Sequence, residues 1–265
     1  MLTGVDHITV HVSDLDRAVD TYERLGFTLT RDRHVAYAVF GPVHLEFRET
    51  GDPSEPEGLH TLALRSDDIE ADLCRLRSEG LSVIDPVVAP IAFGNASLQR
   101  RIADVDALIP MRLVEHDHGA GELHSLLGGP SEHPNTVTGL ERIYVAVDSM
   151  RYHLPAFERA IGMPAPEPEL GTVIMSLMTV FYVGEVGIAV AEPRGAGPTA
   201  DALTANGPAM FQVLFRARHL DDADRFMVEH GVPSPARGTR LSGESALLVE
   251  PVNACGLYVA MAGPP

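Results

Sequence analysis

The 265-residue chain has no tryptophan, only two cysteines, and far fewer basic than acidic residues. Its 20 Lys and Arg residues against 37 Asp and Glu give a formal net charge of -17, which repels phosphate backbones and anionic lipid head groups. Aromatic residues make up 6% of the chain, too few to predict a stacking platform for single-stranded nucleic acid. Neither nucleic acid nor a membrane is therefore expected as a partner.

The two cysteines and the N-terminus favour a cytoplasmic protein. Cys74 and Cys255 form neither a CxxC pair nor the dense, even spacing of a secreted disulfide framework. The N-terminal sequence MLTGVDHITV lacks a basic segment followed by an apolar one. The longest apolar stretch, IMSLMTVFYV, is roughly half the length of a membrane-spanning helix.

Several catalytic motifs are also missing from the sequence. It contains no GxSxG elbow, no GxxxxGK[ST] loop and no GxGxxG after a strand. These absences argue against a nucleophilic hydrolase of that type, a P-loop enzyme and a dinucleotide-binding enzyme.

The chain instead contains one pattern four times: an alternating strand, an acidic turn, an amphipathic helix, a Gly and then further strand-like stretches. The four strands read VDHITVHV, LHTLALR, LERIYVAV and MFQVLFRA. In the first repeat, Ser13 or Asp14 can cap a helix that ends near Gly26. Each repeat is therefore predicted to be a βαβββ module.

A single βαβββ module exposes one apolar sheet face, so the modules are expected to work in pairs. We predict an α+β fold in which four modules form two open-barrel domains. The first domain covers residues 1–128, with modules at 1–50 and 58–118, and the second covers 129–265, with modules at 137–193 and 207–262. The Gly- and Pro-rich segment 119–139 is interpreted as the connection, with a boundary near Gly129. The alternative is a single α+β domain in which the patterns recur by chance.

Paired βαβββ modules resemble the vicinal oxygen chelate superfamily, which includes glyoxalase I, extradiol dioxygenases and bleomycin resistance proteins. VDHITVHVSDLDRAVDTYERLGF, VHLEFRE and RLVEHDH resemble its bacterial glyoxalase-like family, and the similarity extends over nearly the whole chain. In that superfamily, metal ligands project inward from the first and last strands of each module. The resemblance therefore implies a divalent metal, Zn, Ni, Co, Mn or Fe, held by His7, Glu46, His60 and Glu115, with Glu46 or Glu115 as general base.

Other polar residues are candidates for binding a substrate. Arg100 and Arg101 are adjacent in a strand-like segment, so one of them must face inward, where it could hold a carboxylate. His34 is a candidate next to the AYAVFG strand, and His116 and His118 flank the expected metal site. Strand alternation predicts that His116 points away from the face that Glu115 occupies. Each of these residues also has a purely structural interpretation.

The C-terminal modules lack the expected ligands. Aligning the repeats places Arg142 opposite His7 and Ala189 opposite Glu46, and it places Phe211 opposite His60 and Ala260 opposite Glu115. Neither Ala nor Phe binds a metal ion. The second domain is therefore expected to be metal-free, and to stabilise or close the first domain or to form a homodimer.

The resemblance is more specific for the fold than for the reaction. A four-ligand site favours a lyase or isomerase that acts through a metal-stabilised enediolate on a small substrate with two neighbouring oxygens. An Fe(II)-dependent ring-cleaving dioxygenase and a metal-free protein that binds a drug-like small molecule are the alternatives.

Overall fold

Alternating strands and capped helices build two curled sheets in the computed structural model. The structure describes residues 1–52, 55–93, 96–117, 119–128 and 132–264. The first sheet has nine strands in the order β2-β3-β4-β1-β5-β9-β8-β6, with β7 paired to β8, and the second has eight in the order β11-β12-β13-β10-β14-β17-β16-β15. The corresponding strands of the two halves follow one another in the same order. The predicted α+β fold of paired βαβββ modules is confirmed.

The first half of the chain supplies the first sheet and three helices. Its elements are β1 (Leu2–Val12), α1 (Leu15–Arg24), β2 (Leu29–Asp32), β3 (Val35–Phe40), β4 (Val43–Glu49), β5 (Gly58–Ser66), α2 (Ile69–Ser78), β6 (Ser82–Val83), β7 (Val87–Phe93), β8 (Ala96–Asp106), β9 (Pro110–His116) and α3 (Ala120–Leu127).

The second half repeats the order of modules, with helix α5 (Pro198–Asn206) between its two modules. Its elements are β10 (Val137–Ala146), α4 (Met150–Ile161), β11 (Glu169–Gly171), β12 (Ser176–Val183), β13 (Val186–Pro193), α5 (Pro198–Asn206), β14 (Ala209–Ala217), α6 (Leu220–Glu229), β15 (Ala236–Thr239), β16 (Ser245–Val249) and β17 (Tyr258–Gly263).

The first helix of each N-terminal module begins at an aspartate. The Asp14 side chain accepts a hydrogen bond from the backbone N–H of Arg17, and Asp68 accepts one from Ala71 in the same way. Such caps satisfy amide groups that the first helical turn leaves free. Gly26, just after α1, has φ +85, and a Cβ there would lie 2.6 Å from the Cβ of Asn135. The chain can therefore turn back there only with glycine.

Helices α1, α2, α4 and α6 contribute to one continuous apolar core that joins the halves. In β1, Ile8 and Val10 belong to this core. Phe27 of the first half packs against Phe215 of the second, with ring centroids 5.1 Å apart. The guanidinium of Arg75 on α2 donates to the carbonyl oxygen of Arg159 at the end of α4 over 2.7 Å. The two convex faces are thus buried together, and the two concave faces point away from each other.

The predicted connection between the halves contains structure that the sequence interpretation missed. Helix α3 lies inside segment 119–139, and its Leu123 and Leu127 pack against Tyr37 and Val39 of β3. The segment therefore contributes to the first half instead of only linking the two. The expected boundary residue, Gly129, lies outside the described residues.

Candidate active site

The concave face of the first sheet carries a cluster of buried polar side chains. Along β4, Leu45 and Phe47 belong to the apolar core, so His44 and Glu46 face the other way. His7 on β1 pairs in register with His44, and their rings stack with centroids 5.0 Å apart. His7, His44 and Glu46 are all at most 1% exposed. Three polar side chains buried next to one another indicate a functional site.

Asp6 holds His7 in one orientation. Asp6 Oδ1 lies 2.8 Å from His7 Nδ1, while Oδ2 contacts His116 Nε2 and the guanidinium of Arg65. Burial alone would raise the pKa of Asp6, but hydrogen bonds from His116 and His7 hold it well below its usual value. An ionised Asp6 can only accept, so Nδ1 of His7 carries a proton. His7 Nε2 is buried and has no hydrogen-bond partner.

His44 and Glu46 each leave a buried atom unpartnered as well. Burial, and then the proximity of His7, lowers the pKa of His44 to about 3, so its ring is neutral and its Nε2 has no partner. Burial would raise the pKa of Glu46, but His7 and the guanidinium of Arg48 bring it down to about 2. Glu46 Oε1 accepts from Arg48, and Oε2 has no partner.

Arg100 completes the cluster from β8. It is 5% exposed, and its Nε and Nη1 have no hydrogen-bond partner. A buried donor without a hydrogen-bond partner lowers stability by about 1–3 kcal/mol. The site is therefore arranged for a group that accepts hydrogen bonds from these donors. Together with Arg48 and Arg65, the guanidiniums outnumber the carboxylates Asp6 and Glu46. The electrostatics of this face therefore favour an anion.

The predicted pair Arg100 and Arg101 separates as alternation requires, with Arg100 inside. Arg101 Nη1 donates to Glu115 Oε2 over 2.9 Å, and Glu115 Oε1 accepts from the backbone N–H of Ile69 at the start of α2 over 3.1 Å. Glu115 therefore lies on the helix-bearing face, on the same side of β9 as Leu113. His116 contacts Asp6 on the concave side, where the resemblance had placed Glu115.

His60 also lies apart from His7. Its ring stacks on His11, with centroids 3.7 Å apart, and its Nδ1 lies 2.7 Å from Thr61 Oγ1. This histidine pair lines a pocket with Met210 and Gly256 from the second half of the chain. Of the four expected ligands, only His7 and Glu46 share the concave face.

Two further candidates do not join the cluster. His34 is exposed in the turn between β2 and β3. His118 lies outside the described residues.

The four expected ligands do not fit a common metal centre. Among the described residues, no three His, Cys, Asp or Glu side chains are gathered closely enough to hold a metal ion. Counted from the helix caps Asp14 and Asp68, the second-module counterpart of His7 is Thr61. The strand registers likewise make Arg112 the counterpart of Glu46. A hydroxyl and a guanidinium replace an imidazole and a carboxylate, so the second module does not supply its half of the site.

Sequence reasoning missed Asp6 and His44 as members of the cluster. Signals for both were present. His44 alternates with Glu46 in VHLEFRE, so the two must share a face, and Asp6 adjoins His7 at a register shift between β1 and β5. That irregularity turns two successive side chains towards one cluster, which simple alternation does not predict.

Residues 4–98 match the family model described as the Glyoxalase/Bleomycin resistance protein/Dioxygenase superfamily. Over these residues the chain is similar to that superfamily. Solved structures match the two-sheet architecture over nearly the entire chain. No curated protein matches the sequence.

Three of these structures illustrate the range. A mutant 4-hydroxymandelate synthase from Streptomyces coelicolor is 19% identical with a TM-score of 0.67, covering 99% of this chain and 92% of that one. A Mn(II)-bound glyoxalase from Novosphingobium aromaticivorans is 14% identical with a TM-score of 0.64, covering 99% and 82%. A hypothetical protein from Staphylococcus aureus is 11% identical with a TM-score of 0.66, covering 98% and 99%. At these identities the likeness establishes the fold alone.

In the described part of the chain, no helix is long and apolar enough to cross a bilayer.

Proposed function

We propose that the concave face of the first sheet is a catalytic site, and that His7 there moves a proton on a small anionic molecule with two neighbouring oxygens. The observation that carries the proposal is the buried, unpartnered Nε2 of His7, held from behind by Asp6. In the neutral form of His7, with Nδ1–H donating to Asp6, the lone pair at Nε2 is fixed in the arrangement of a general base.

Arg100 and Glu46 bind the two oxygens of the substrate. The free N–H groups of Arg100 can donate hydrogen bonds to a carboxylate or a carbonyl oxygen. Glu46, ionised, accepts a hydrogen bond at Oε2 from a neighbouring hydroxyl group. The substrate class is therefore a 2-hydroxy carbonyl compound or its acid.

The reaction class follows from these three roles. His7 Nε2 takes the proton from the carbon next to the carbonyl, and the electron pair of that C–H bond moves into the carbonyl to give an enediolate. The Arg100 guanidinium stabilises the negative charge that forms on oxygen. Isomerisation is complete when the proton returns to the former carbonyl carbon and the hydroxyl proton passes from one oxygen to the other. A lyase reaction is complete when the enediolate re-forms a carbonyl group and its electron pair expels a leaving group from the carbon adjacent to the enediolate.

The test is exchange of carbon-bound hydrogen in D₂O, followed by NMR with hydroxypyruvate and tartronate semialdehyde as probes. The wild-type protein is expected to exchange the hydrogen next to the carbonyl. His7→Gln should slow the exchange by about 100-fold or more, the usual contribution of a positioned base. His60→Gln should exchange at the wild-type rate. Equal rates in wild type and His7→Gln would refute the proposal.

A second pair of variants tests the substrate contacts. Glu46→Gln keeps the shape of the side chain but removes the charge that accepts the hydroxyl, so the KM for the probes should rise. Glu115→Gln changes the same side chain on the helix-bearing face and should leave KM unchanged. A higher KM only in Glu115→Gln would move the binding site to the other face of β9.

One observation favours a second candidate, a metal-assisted form of the same site. His7 Nε2, His44 Nε2 and Glu46 Oε2 are three unpartnered donors of the kind that bind Zn, Mn or Fe(II), although they would have to move together to share an ion. A bound ion would supply Lewis-acid stabilisation of the enediolate. Equilibrium dialysis against Mn²⁺, Zn²⁺ and Fe²⁺ tests it. One ion per chain that is lost in His44→Phe supports this candidate, and iron with O₂ uptake supports a dioxygenase.

A further inference from the structure

The concave face of the second sheet has alanine at two positions where the first sheet has charged side chains. The strand registers make Ala189 the counterpart of Glu46, and they make Ala260 the counterpart of Arg112. Both alanines are at most 2% exposed and belong to an apolar cluster on this face. Two long side chains are thus replaced by methyl groups, which leaves room inside the barrel.

The room is a cavity of about 110 Å³. Ile174, Met178, Leu214 and Ala260 contribute apolar wall, and Gln212 and Arg142 contribute polar atoms. A dry apolar cavity of about 150 Å³ is sufficient to take up benzene, so this one is on the scale of a single small ring.

Gln212 gives the cavity a specific polar end. Its side chain is 2% exposed, and Oε1 has no hydrogen-bond partner, nor does Nε of Arg142. One of these atoms accepts and the other donates. Nε of Arg142 lies 3.5 Å from Glu141 Oε1, so the unpartnered amide oxygen is the group that a ligand can satisfy. A hydroxyl group can donate a hydrogen bond to it.

The charges around the cavity are already paired. Arg142 Nη1 donates to Glu169 over 2.8 Å, and Arg240 Nη2 donates to Glu141 over 2.6 Å. An anionic ligand would have to displace a carboxylate, whereas an uncharged one would not. The electrostatics of this face therefore differ from those of the first sheet.

The rim of the cavity offers an apolar entrance. Leu170 and Leu241 line it and are 57% and 68% exposed. Thr172 Oγ1 donates to the carbonyl oxygen of Thr239 over 3.0 Å, which ties the two rim segments together. Exposed leucines at the mouth of a cavity are a feature of sites that admit apolar molecules.

We infer that this cavity is a metal-independent binding site for a small, uncharged, mainly apolar molecule that carries one hydroxyl group, with phenol as its simplest representative. The apolar ring fills the space that the two alanines leave. The hydroxyl group satisfies Gln212 Oε1. This site is separate from the catalytic site proposed on the first sheet.

The experiment is titration of the full-length protein with phenol and with benzene, followed by calorimetry and by the methyl NMR signal of Met178. Both ligands should bind saturably and shift that signal. Gln212→Leu should weaken phenol about 5-fold, the value of one hydrogen bond, and leave benzene unchanged. Absence of saturable binding, or equal weakening of both ligands, would overturn the inference.

Cavity-filling variants provide the control. Ala260→Leu should abolish binding of both ligands, and Ala246→Leu fills the same space from β16 should the first variant fold poorly by circular dichroism. His7→Gln, on the other sheet, should bind phenol as the wild type does. Binding that survives in a folded cavity-filled variant, or that is lost in His7→Gln, would place the ligand elsewhere.

Discussion

The two halves of the molecule share a strand order but differ on the faces that point away from each other. The first sheet presents imidazoles, carboxylates and guanidiniums on its concave face. The second presents an apolar surface in which small residues predominate, namely Ala146, Ala189, Ala191, Ala246, Ala260 and Ala262. One architecture therefore supports a charged site in one half and an apolar cavity in the other.

Equivalent positions on the first strand of each module show what the fold requires. The residues six before the helix cap are Ile8, Leu62, Ile143 and Val213, all apolar and all in the shared core. The residues seven before the cap are His7, Thr61, Arg142 and Gln212, which have no common chemistry. The helix-facing side of the strand thus specifies the fold, and the concave side is free to carry function.

The largest expected effect tests whether the halves depend on each other. Phe27 is 1% exposed and packs against Phe40 in its own half and Phe215 in the other. Phe27→Ala should lower the free energy of unfolding by about 3–5 kcal/mol, because it leaves a cavity in the core that both halves share. In urea unfolding, the midpoints reported by probes in the two halves should fall together.

Val249 of β16, in the second half, offers a comparison for that variant. It is 3% exposed in the same core, and Val249→Ala removes less buried surface. It should produce a smaller shift that again affects both halves together. Separate transitions in either variant, with only one half destabilised, would show that the two sheets fold independently and that the common core has no cooperative role.

The fold could be predicted from the sequence because its signals are local. A cap such as Asp14, an apolar stripe and a glycine lie within one stretch of chain, and the repeat shows them four times. The site depended on which face of a strand is concave. Alternation predicts that Glu115 and His116 point to opposite faces. Only the contacts of Glu115 with Ile69 and Arg101 show which of the two lies on the helix-bearing face.

His60 illustrates the same difficulty at the level of one residue. Its place in the opening strand of the second module resembles that of His7, yet counting back from Asp68 shows that Thr61 is the true counterpart. A shift of one residue reverses the face that a side chain occupies. The helix caps could be identified from the sequence. Counting back from them aligns the strands of different modules more accurately than the strand pattern does.

A smaller effect is expected from the charge that distinguishes the first concave face. Arg100→Met should lower kcat/KM for the probes about 30-fold, because a charge-assisted hydrogen bond to the substrate contributes about 2 kcal/mol. It should also raise the free energy of unfolding by about 1 kcal/mol, since it removes unpartnered buried donors.

Arg101 is the matched control, because it is adjacent on β8 and pairs with Glu70 and Glu115 on the opposite face. Arg101→Met should keep the wild-type kcat/KM and lose a little stability. Kinetics and thermal unfolding of the two variants measure both quantities. A pair of variants with equal activities would mean that the guanidinium on the concave face does not contact substrate.

The smallest expected effect is a pH dependence at the junction between the halves. His133 Nδ1 accepts from the backbone N–H of Thr28 over 3.0 Å, and Nε2 donates to the carbonyl oxygen of Val39 over 3.1 Å. Protonation would end the first of these hydrogen bonds, and burial lowers the pKa of His133 below its ordinary value. In the unfolded chain, His titrates near its usual pKa of about 6.5. Below that pH the unfolded state binds more protons than the folded state, so the free energy of unfolding should fall as the solution is acidified, by at most about 1.4 kcal/mol per pH unit. Above that pH both states are neutral, and the contribution of His133 is constant.

The variant His133→Gln can accept and donate hydrogen bonds at the same places without titrating. The difference in the free energy of unfolding in urea between wild type and variant should therefore change between pH 7.5 and 5.5. A constant difference over that range would show that His133 does not couple the junction to pH.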